Sequence, residues 1–223
     1  RELESHGLEH LELWSRGIDL AGFSPEFRDP QLRRDAGADD STPLVLLVSR
    51  LVREKDLADL VEMQRLLRER GVPFSLALVG DGPMRRDLER SMPAATFAGH
   101  QSGEQLARWY ASADVFVFPS TTETLGNVVL EALASGVPAV VTDRGGPQDL
   151  IRAGENGFVV RGNAPGEMAD RVELLLRDGE LRARMAAAAR ESAIARDWEE
   201  INGGLIESYR TVVREAAIPG RES

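Results

Sequence analysis

Short apolar runs alternate with longer segments of helical periodicity along most of this 223-residue chain. The apolar runs predict β-strands at Leu44–Val48, Ser75–Val79, Thr96–Ala98, Val115–Phe118, Ala139–Thr142 and Phe158–Val160. Helices are predicted at Leu57–Arg70, Met84–Met92, Glu104–Ala111, Asn127–Ser135, Glu167–Arg177 and Glu180–Ala195. This alternation is typical of a parallel sheet with helices on both faces. The sequence therefore predicts an α/β fold, a Rossmann-like doubly wound parallel sheet.

Ligands of such sheets bind at the carboxyl ends of the strands. Five residues that lie one or two positions after the ends of predicted strands are Arg50, Gly80, Gly99, Ser120 and Asp143. We therefore expect the binding site at this edge of the sheet.

Two carboxylates, Glu123 and Glu131, flank a predicted strand-to-helix turn at Gly126. The first turn of a helix has unpaired N–H groups and the positive end of the helix dipole, which suits a diphosphate. The residues expected to supply these donors are Thr124, Leu125, Gly126, Asn127 and Val128. Glu131, further along the helix, is placed to accept hydrogen bonds from a ribose diol. Glu123 faces whatever is attached beyond the phosphates.

A basic pair, Arg50 and Lys55, follows the first predicted strand across a turn. Arginine offers a planar fork of donors and lysine a compact charge, a combination suited to a diphosphate. A solvated turn is the alternative, and Arg53 between them has no predicted role.

Four ordered motifs carry a resemblance to a known family. They are the E-x7-E segment from Glu123 to Glu131, an "SRL-x-x-x-K" turn at Ser49–Asp56, a "GDGP" turn at Val79–Pro83 and a "GG-P" loop at Asp143–Pro147. Together they resemble retaining glycosyltransferases of the GT-B fold, in particular family four, from about Trp14 to about Val160. The resemblance implies the C-terminal, donor-binding half of such an enzyme.

The resemblance also implies a reaction and roles for residues. A hexose would pass from a UDP- or GDP-linked donor to an acceptor hydroxyl. Arg50, Lys55 and Glu123 would be the catalytic residues, with Glu123 contacting sugar hydroxyls and supporting departure of the leaving group. Glu131 would hold the ribose, and Thr124 would help to orient the sugar.

Three further binding residues follow from the resemblance. Gly80 belongs to the glycine turn, and Gly99 and Gln101 belong to the loop that wraps the nucleobase in the family. A purely structural turn and a solvent-facing loop are the alternatives for these segments.

The resemblance implies three segments. Residues 1–42 are expected to be an interdomain strand and linker from an N-terminal domain outside the chain, and they begin with a helix end that runs into Leu8–Trp14. Residues 43–196 form the nucleotide-sugar-binding domain. Residues 197–223 form a crossover helix and tail whose apolar face would be partly exposed in this chain. The missing domain would bind an acceptor sugar or lipid, so this chain alone is expected to bind donor without transferring it.

Composition excludes several classes of protein. The net charge of −10 argues against a nucleic-acid partner and against adhesion to anionic lipid. No apolar run approaches the ~20 residues of a membrane helix. The chain contains no cysteine. A cytoplasmic location is expected, with a membrane-peripheral position left open for the full-length protein.

No metal or cofactor is expected. The histidines His6, His10 and His100 are scattered, and Glu123 and Glu131 are too far apart on a helix to share one ion. The family that the motifs resemble generally works without a metal.

Other functions remain open. A sugar-nucleotide epimerase would share the two-domain architecture, and a non-catalytic nucleotide-sugar-binding module would be a decayed relative. A dinucleotide-dependent oxidoreductase has little support, because the Gly80–Pro83 turn is not a G-x-G-x-x-G motif.

Overall fold

The computed structural model describes residue 6 and residues 16–216, apart from the side chains of residues 200, 215 and 216. The predicted helix end at Leu8–Trp14 lies outside the described residues. Residues 1–5 and 7–15 of the predicted linker and residues 217–223 of the predicted tail also lie outside the described residues.

Six parallel strands in the described part of the chain form one sheet, and the predicted fold class is confirmed. The strands are β1 (Leu44–Val48), β2 (Ser75–Val79), β3 (Thr96–Gly99), β4 (Val115–Phe118), β5 (Ala139–Thr142) and β6 (Gly157–Val160). Their order across the sheet is β3-β2-β1-β4-β5-β6. Because the order reverses between β1 and β4, the crevice that receives ligands in such sheets lies between these two strands.

The helices within the described residues are α1 (Pro30–Asp35), α2 (Leu57–Glu69), α3 (Arg85–Ser91), α4 (Gly103–Ser112), α5 (Asn127–Ala134), α6 (Pro165–Arg177), α7 (Gly179–Ile194) and α8 (Trp198–Ala216). Short 3-10 turns occupy Pro25–Phe27, Arg53–Lys55 and Gly146–Leu150. The predicted helices α2 to α7 differ from the observed ones by a few residues at their ends, where helices fray.

The hydrophobic pattern explains these elements. All five residues of the central strand β1 are buried, as expected for a strand covered by helices on both faces. The buried residues of α2 recur at helical spacing on one face, where Leu60, Met63 and Leu67 are completely buried. The core therefore lies between the two faces of the sheet and the apolar faces of its helices.

The predicted linker contains a helix that the sequence analysis missed. Helix α1 begins after Asp29, whose carboxylate accepts hydrogen bonds from the N–H groups of Gln31 and Leu32. Its six residues are too few to show an apolar period, although Asp29 and Pro30 form a helix-start signal. Helix α1 packs against α4, so this part of the linker is joined to the sheet domain.

A buried ion pair joins α1 to the sheet. Asp114 accepts hydrogen bonds from Arg33 at 2.7 Å, from Arg28 at 3.0 Å and from the N–H of Leu44 at 2.7 Å. The side chains of Arg33 and Asp114 are only 10% and 12% exposed. Burial acts to raise the pKa of Asp114, but the Leu44 N–H and the two guanidinium groups outweigh it and lower that pKa.

Asp114→Ala is expected to lower the free energy of unfolding by about 3 kcal/mol, because it leaves the Arg33 charge buried without a carboxylate. Urea denaturation followed by circular dichroism would measure the change. Asp87→Ala is the matched control, since Asp87 pairs with Arg90 on an exposed helix surface. Its loss should stay within ~1 kcal/mol. Equal losses in the two variants would contradict this role of Asp114.

Helix α8 leaves part of its apolar side exposed. Ile206, Tyr209, Val212 and Val213 are each at least half exposed.

In the part of the chain that the structure describes, no helix combines the length and the hydrophobicity needed to cross a bilayer.

Candidate functional site

A cleft of about 290 Å³ opens at the carboxyl ends of β1 and β4. Its lining consists of Val48, Ser49, Arg50, Lys55, Phe118, Glu123, Asn127 and Val128. Three elements meet here because parallel strands end on the same side: the turn after β1, the end of β4 and the start of α5. The structure thus brings five of the predicted site residues, Arg50, Lys55, Glu123, Asn127 and Val128, to the lining of one cleft.

Lys55 forms an ion pair with Glu123 inside this cleft. Its Nζ donates to Glu123 Oε2 at 2.9 Å and lies 5.8 Å from the centroid of the Phe118 ring. The Lys55 and Glu123 side chains are 11% and 26% exposed, so water only partly screens the pair. Sequence analysis placed both residues in the site but did not predict this contact.

The carboxylate of Glu123 stays charged in this setting. Partial burial acts to raise its pKa, but the Lys55 ammonium and the N–H groups of Leu125 and Gly126 lower the pKa overall. The same N–H groups were predicted to bind a diphosphate. In the structure they stabilise the Glu123 carboxylate. A diphosphate that binds to these N–H groups would therefore have to displace that carboxylate.

The turn that carries Lys55 is fixed to the loop after β4. Asp56 has a left-handed backbone with φ of 51°. Its Oδ2 accepts hydrogen bonds from the N–H of Thr121 at 2.8 Å and from Thr121 Oγ1 at 2.7 Å. The carbonyl of Glu54 accepts a hydrogen bond from Thr122 Oγ1 at 2.8 Å. These contacts hold Lys55 opposite Glu123.

Arg50 lies at the lip of the cleft and has a different partner. It pairs with Glu54 at 2.7 Å, and its side chain is 70% exposed. Arg50 and Lys55 therefore do not converge on one point in this structure. To bind an anion in the cleft, Arg50 would have to leave Glu54, which costs little for an exposed pair.

The start of α5 has the geometry that an anion site requires. Gly126 is the N-cap residue with φ of 72°, and no side chain caps the helix there. Its carbonyl already accepts from Val129 and Leu130, so the helix begins directly after Gly126. The N–H groups of the first turn are consequently not covered by a capping side chain. Thr124 and Leu125 lie on the preceding loop, where Leu125 is half exposed.

The glycine loop after β5 lies against the backbone of the Glu123 loop. The N–H of Gly146 donates to the carbonyl of Glu123 at 3.0 Å. A Cβ at Gly145 would lie 2.0 Å from that carbonyl oxygen, and one at Gly146 would lie 2.1 Å from the Thr124 oxygen. The structure shows that these glycines permit close approach of the Glu123–Thr124 backbone.

Glu131 lines a second, smaller cleft of about 170 Å³ next to the first. Asn127 lines both clefts, one helical turn before Glu131. The other side of this second cleft consists of Arg16, Gly17, Ile18, Asp19, Phe23, Leu130 and Trp198. The two glutamates therefore face adjacent spaces along one surface, as expected for residues that contact successive parts of an elongated ligand.

Burial has the largest effect on the pKa of Glu131. It raises the pKa of this carboxyl group, while a hydrogen bond from Tyr110 and the positive charge of Arg16 act to lower it. The Tyr110 hydroxyl donates to Glu131 Oε2 at 2.8 Å.

The remaining predicted binding residues lie on the same edge of the sheet but outside the lining of both clefts. The N–H of Gly80 donates to the carbonyl of Gly99 at 2.8 Å, and Gln101 Nε2 donates to the carbonyl of Ala98 at 2.7 Å. A Cβ at Gly80 would lie 1.9 Å from the carbonyl oxygen of Ser49, so the packing of the backbone alone requires glycine at this position. The predicted contacts of Gly99 and Gln101 with a nucleobase, and the predicted binding role of Gly80, stay predictions.

Sequence analysis missed four residues around the site. Asp56 and Tyr110 act through tertiary contacts, and no sequence pattern links Asp56 to Thr121 or Tyr110 to Glu131. Arg16 and Trp198 reach the second cleft from opposite ends of the chain. The only available signal among them was that Arg16 lies in the predicted interdomain strand and linker, residues 1–42.

No group of three or more histidine, cysteine, aspartate or glutamate side chains is arranged to hold a metal ion within residue 6 and residues 16–216. That the protein works without a metal or cofactor remains a prediction.

Comparison with known proteins agrees with this geometry. The sequence profile of the family "Glycosyl transferases group 1" matches residues 28–192. The chain is 40% identical over 198 residues to a sulfoquinovosyl transferase of Arabidopsis thaliana, covering 84% of this chain and 37% of that protein. It is 38% identical over 213 residues to a GDP-mannose-dependent alpha-mannosyltransferase of Mycolicibacterium smegmatis, covering 95% of this chain and 54% of that protein.

Solved structures show the same fold. Sucrose-phosphate synthase from Thermosynechococcus elongatus matches with a TM-score of 0.78 and 26% identity, over 92% of this chain and 53% of that one. Anabaena HepE in complex with UDP matches with a TM-score of 0.73 and 24% identity, over 85% and 56% of the two chains. The chain thus spans between about a third and about half of the length of these relatives.

Proposed function

The chain belongs to the group 1 glycosyltransferases, and from this premise we propose that it forms the donor-binding part of a retaining hexosyltransferase. The donor is a UDP- or GDP-linked hexose, and the acceptor is a hydroxyl group. The observation that carries the proposal is the Lys55–Glu123 pair at the start of α5, with Glu131 in the adjoining cleft.

The first cleft would receive the diphosphate and the sugar. The N–H groups at the start of α5 and the Lys55 ammonium would bind the phosphates, and Arg50 would close over them from the lip. As the bond from the sugar C1 to the phosphate oxygen breaks, negative charge accumulates on that oxygen. Lys55 stabilises this charge in the transition state more than in the ground state, which lowers the barrier.

Glu123 would change partners when the donor binds. The diphosphate attracts Lys55, so the Glu123 carboxylate becomes free to accept hydrogen bonds from sugar hydroxyls, with Thr124 beside it. The acceptor oxygen attacks C1 from the face that the phosphate leaves, which retains the configuration. The acceptor proton passes to the departing phosphate oxygen, so the step needs no separate base.

The second cleft would hold the ribose. A carboxylate can accept two hydrogen bonds from a vicinal diol. Two carboxylates line this cleft, Asp19 and Glu131, and Glu131 is the one on helix α5, next to the first cleft. The nucleobase would extend toward the loop with Gly99 and Gln101. Relatives support both bases: the mycobacterial one is named as GDP-mannose-dependent, and Anabaena HepE was solved with UDP.

The acceptor would be a sugar or lipid bound mainly by an N-terminal domain outside this chain. The relatives are about twice as long as the chain, which supports a second domain. We place the protein in the cytoplasm, with a membrane-peripheral position where the acceptor is a lipid. The net charge of −10 supports the absence of a nucleic-acid partner.

Calorimetric titration with UDP, GDP and their hexose conjugates tests the proposal. One nucleotide series should bind, and its sugar conjugate identifies the donor. Product analysis with the full-length protein would separate transfer from epimerisation. A folded protein that binds none of these ligands, in this chain and at full length, would disprove the proposed function.

Glu131→Gln is expected to weaken nucleotide binding about tenfold, because the neutral amide accepts weaker hydrogen bonds from the ribose. The affinity of the unchanged protein should also fall as the pH decreases. The reason is that burial raises the pKa of Glu131 above its ordinary 4.5, and protonation then removes the charged acceptor. Titrations between about pH 7.5 and about pH 5 would measure this. If the affinity of Glu131→Gln depends on pH in the same way as that of the unchanged protein, Glu131 is not the group whose protonation weakens binding.

A further inference from the structure

Tyr110 is the partner of Glu131 deep in the wall of the second cleft. It lies on α4, is completely buried, and donates its hydroxyl proton to Glu131 Oε2 at 2.8 Å. Among the described residues, no other group donates a hydrogen bond to this carboxylate. One oxygen of Glu131 is thus engaged from inside the domain, while the residue also lines the second cleft.

The ring of Tyr110 is held from two sides. Phe23 meets it edge-on with centroids 5.7 Å apart, and Phe116 on β4 packs against it at 5.8 Å. Such contacts restrict the ring to one orientation. The hydroxyl therefore reaches the carboxylate from a fixed point, and the position of Glu131 Oε2 is fixed with it.

The direction of the hydrogen bond is also defined. Burial and the neighbouring Glu131 charge raise the pKa of Tyr110 well above its usual value, so the phenol keeps its proton. A protonated phenol beside a carboxylate donates to it, since an ionised carboxylate can only accept. The bond stabilises the charged form of Glu131, the form that accepts hydrogen bonds from a diol.

We propose that Tyr110 is a positioning residue for the donor: it anchors one Glu131 oxygen so that the other faces the ribose hydroxyls. This inference rests on the proposed function, because it gives Tyr110 a task in the same donor site. Tyr110 itself does not touch the ligand, since its side chain is absent from the lining of the cleft. Its effect must therefore depend on the ribose hydroxyls and on Glu131.

The test compares Tyr110→Phe with the unchanged protein in titrations with UDP, GDP and their 2′,3′-dideoxy counterparts. Phenylalanine keeps the ring packing and removes only the hydroxyl. The variant should bind the ribonucleotide about tenfold more weakly and the dideoxy nucleotide equally well. In a Glu131→Gln background, Tyr110→Phe should have little further effect, because the two residues act as a unit. Tyr209→Phe is the matched control, since Tyr209 is exposed on α8 and should change neither affinity.

The outcomes separate the inference from the proposed function. If the unchanged protein binds no nucleotide, the proposed function fails and the inference fails with it. If it binds but does not prefer the ribonucleotide, the ribose role of Glu131 is wrong and the inference is overturned. If Tyr110→Phe weakens both ligands equally, or neither, Tyr110 has only a structural role or none, and the inference is overturned while donor binding stands.

A second measurement covers the case in which Tyr110→Phe does not fold. The chain contains two tyrosines, so replacing tyrosine by 3-fluorotyrosine gives two ¹⁹F signals. The Tyr110 signal should shift on addition of the ribonucleotide and stay in place with the dideoxy form, with Tyr209 as internal reference. A Tyr110 signal that responds equally to both ligands, or to neither, would overturn the inference.

Discussion

Lys55→Ala is expected to lower kcat/KM of the full-length protein by roughly 100-fold, the scale of losing one group that stabilises transition-state charge. Lys55 is nearly buried and lies in the first cleft, so bulk water cannot replace its charge effectively. Donor binding by this chain should weaken as well, because in the proposed function the same ammonium also binds the diphosphate in the ground state. Steady-state kinetics and calorimetry would separate the two effects.

Two variants test the explanation for Lys55. Arg53→Ala removes a cation from the same turn, but one that does not line the cleft, and it should leave kcat/KM within about twofold. Lys55→Ala with Glu123→Gln removes the carboxylate that would otherwise remain unpaired. Donor affinity should partly recover, since part of the loss comes from repulsion between Glu123 and the diphosphate. An Arg53→Ala protein as impaired as Lys55→Ala would show that only overall positive charge matters.

Gly145→Ala is expected to abolish measurable donor binding and to cost about 3 kcal/mol of stability. The added methyl group would lie 2.0 Å from the carbonyl oxygen of Glu123, and a backbone atom cannot rotate away as a side chain can. The Glu123 loop must move, and the contacts of Glu123 with Lys55 and with the start of α5 change with it. Thermal denaturation and nucleotide titration would measure the two consequences.

Gly154→Ala is the matched control for Gly145. Gly154 also has a positive φ, 86° against 70° for Gly145, but a Cβ there would meet no atom within 4 Å. This variant should therefore show only the backbone strain, about 1 kcal/mol, with unchanged donor affinity. If both variants lose affinity equally, the contact between the glycine loop and Glu123 is not what positions the site.

Local signals were sufficient for the sheet. Strands such as Leu44–Val48 are uninterrupted apolar runs bounded by turn residues, and each can be recognised without knowledge of its neighbours. Because the strands are parallel, their carboxyl ends lie on one edge of the sheet, so residues following the strands meet there. Helix α1 was missed because its stability comes from contacts that are distant in sequence. It packs on α4, and its Arg33 pairs with Asp114, which lies 81 residues further along the chain.

The pairings within the site could not be predicted in the same way. Lys55 contacts Glu123 across 68 residues, Asp56 contacts Thr121 across 65, and Tyr110 contacts Glu131 across 21. Each of these side chains has a reasonable structural role in its own segment, so its sequence neighbourhood carries no sign of the partner. For Arg50 the sequence predicted a pairing that the structure does not show. Arg50 was expected to act together with Lys55 on one anion, but it pairs with Glu54 in its own turn.

By itself the sequence determined the α/β fold and the family, and it predicted the edge of the sheet on which the candidate cleft lies, because strand periodicity and motif spacing are local properties of the chain. Only the tertiary structure decided which groups touch: that Glu123 forms an ion pair with Lys55, that Gly145 lies against the backbone of the Glu123 loop, and that Tyr110 donates a hydrogen bond to Glu131. Such contacts depend on how helices and loops pack across the sheet, and that packing is a property of the whole chain.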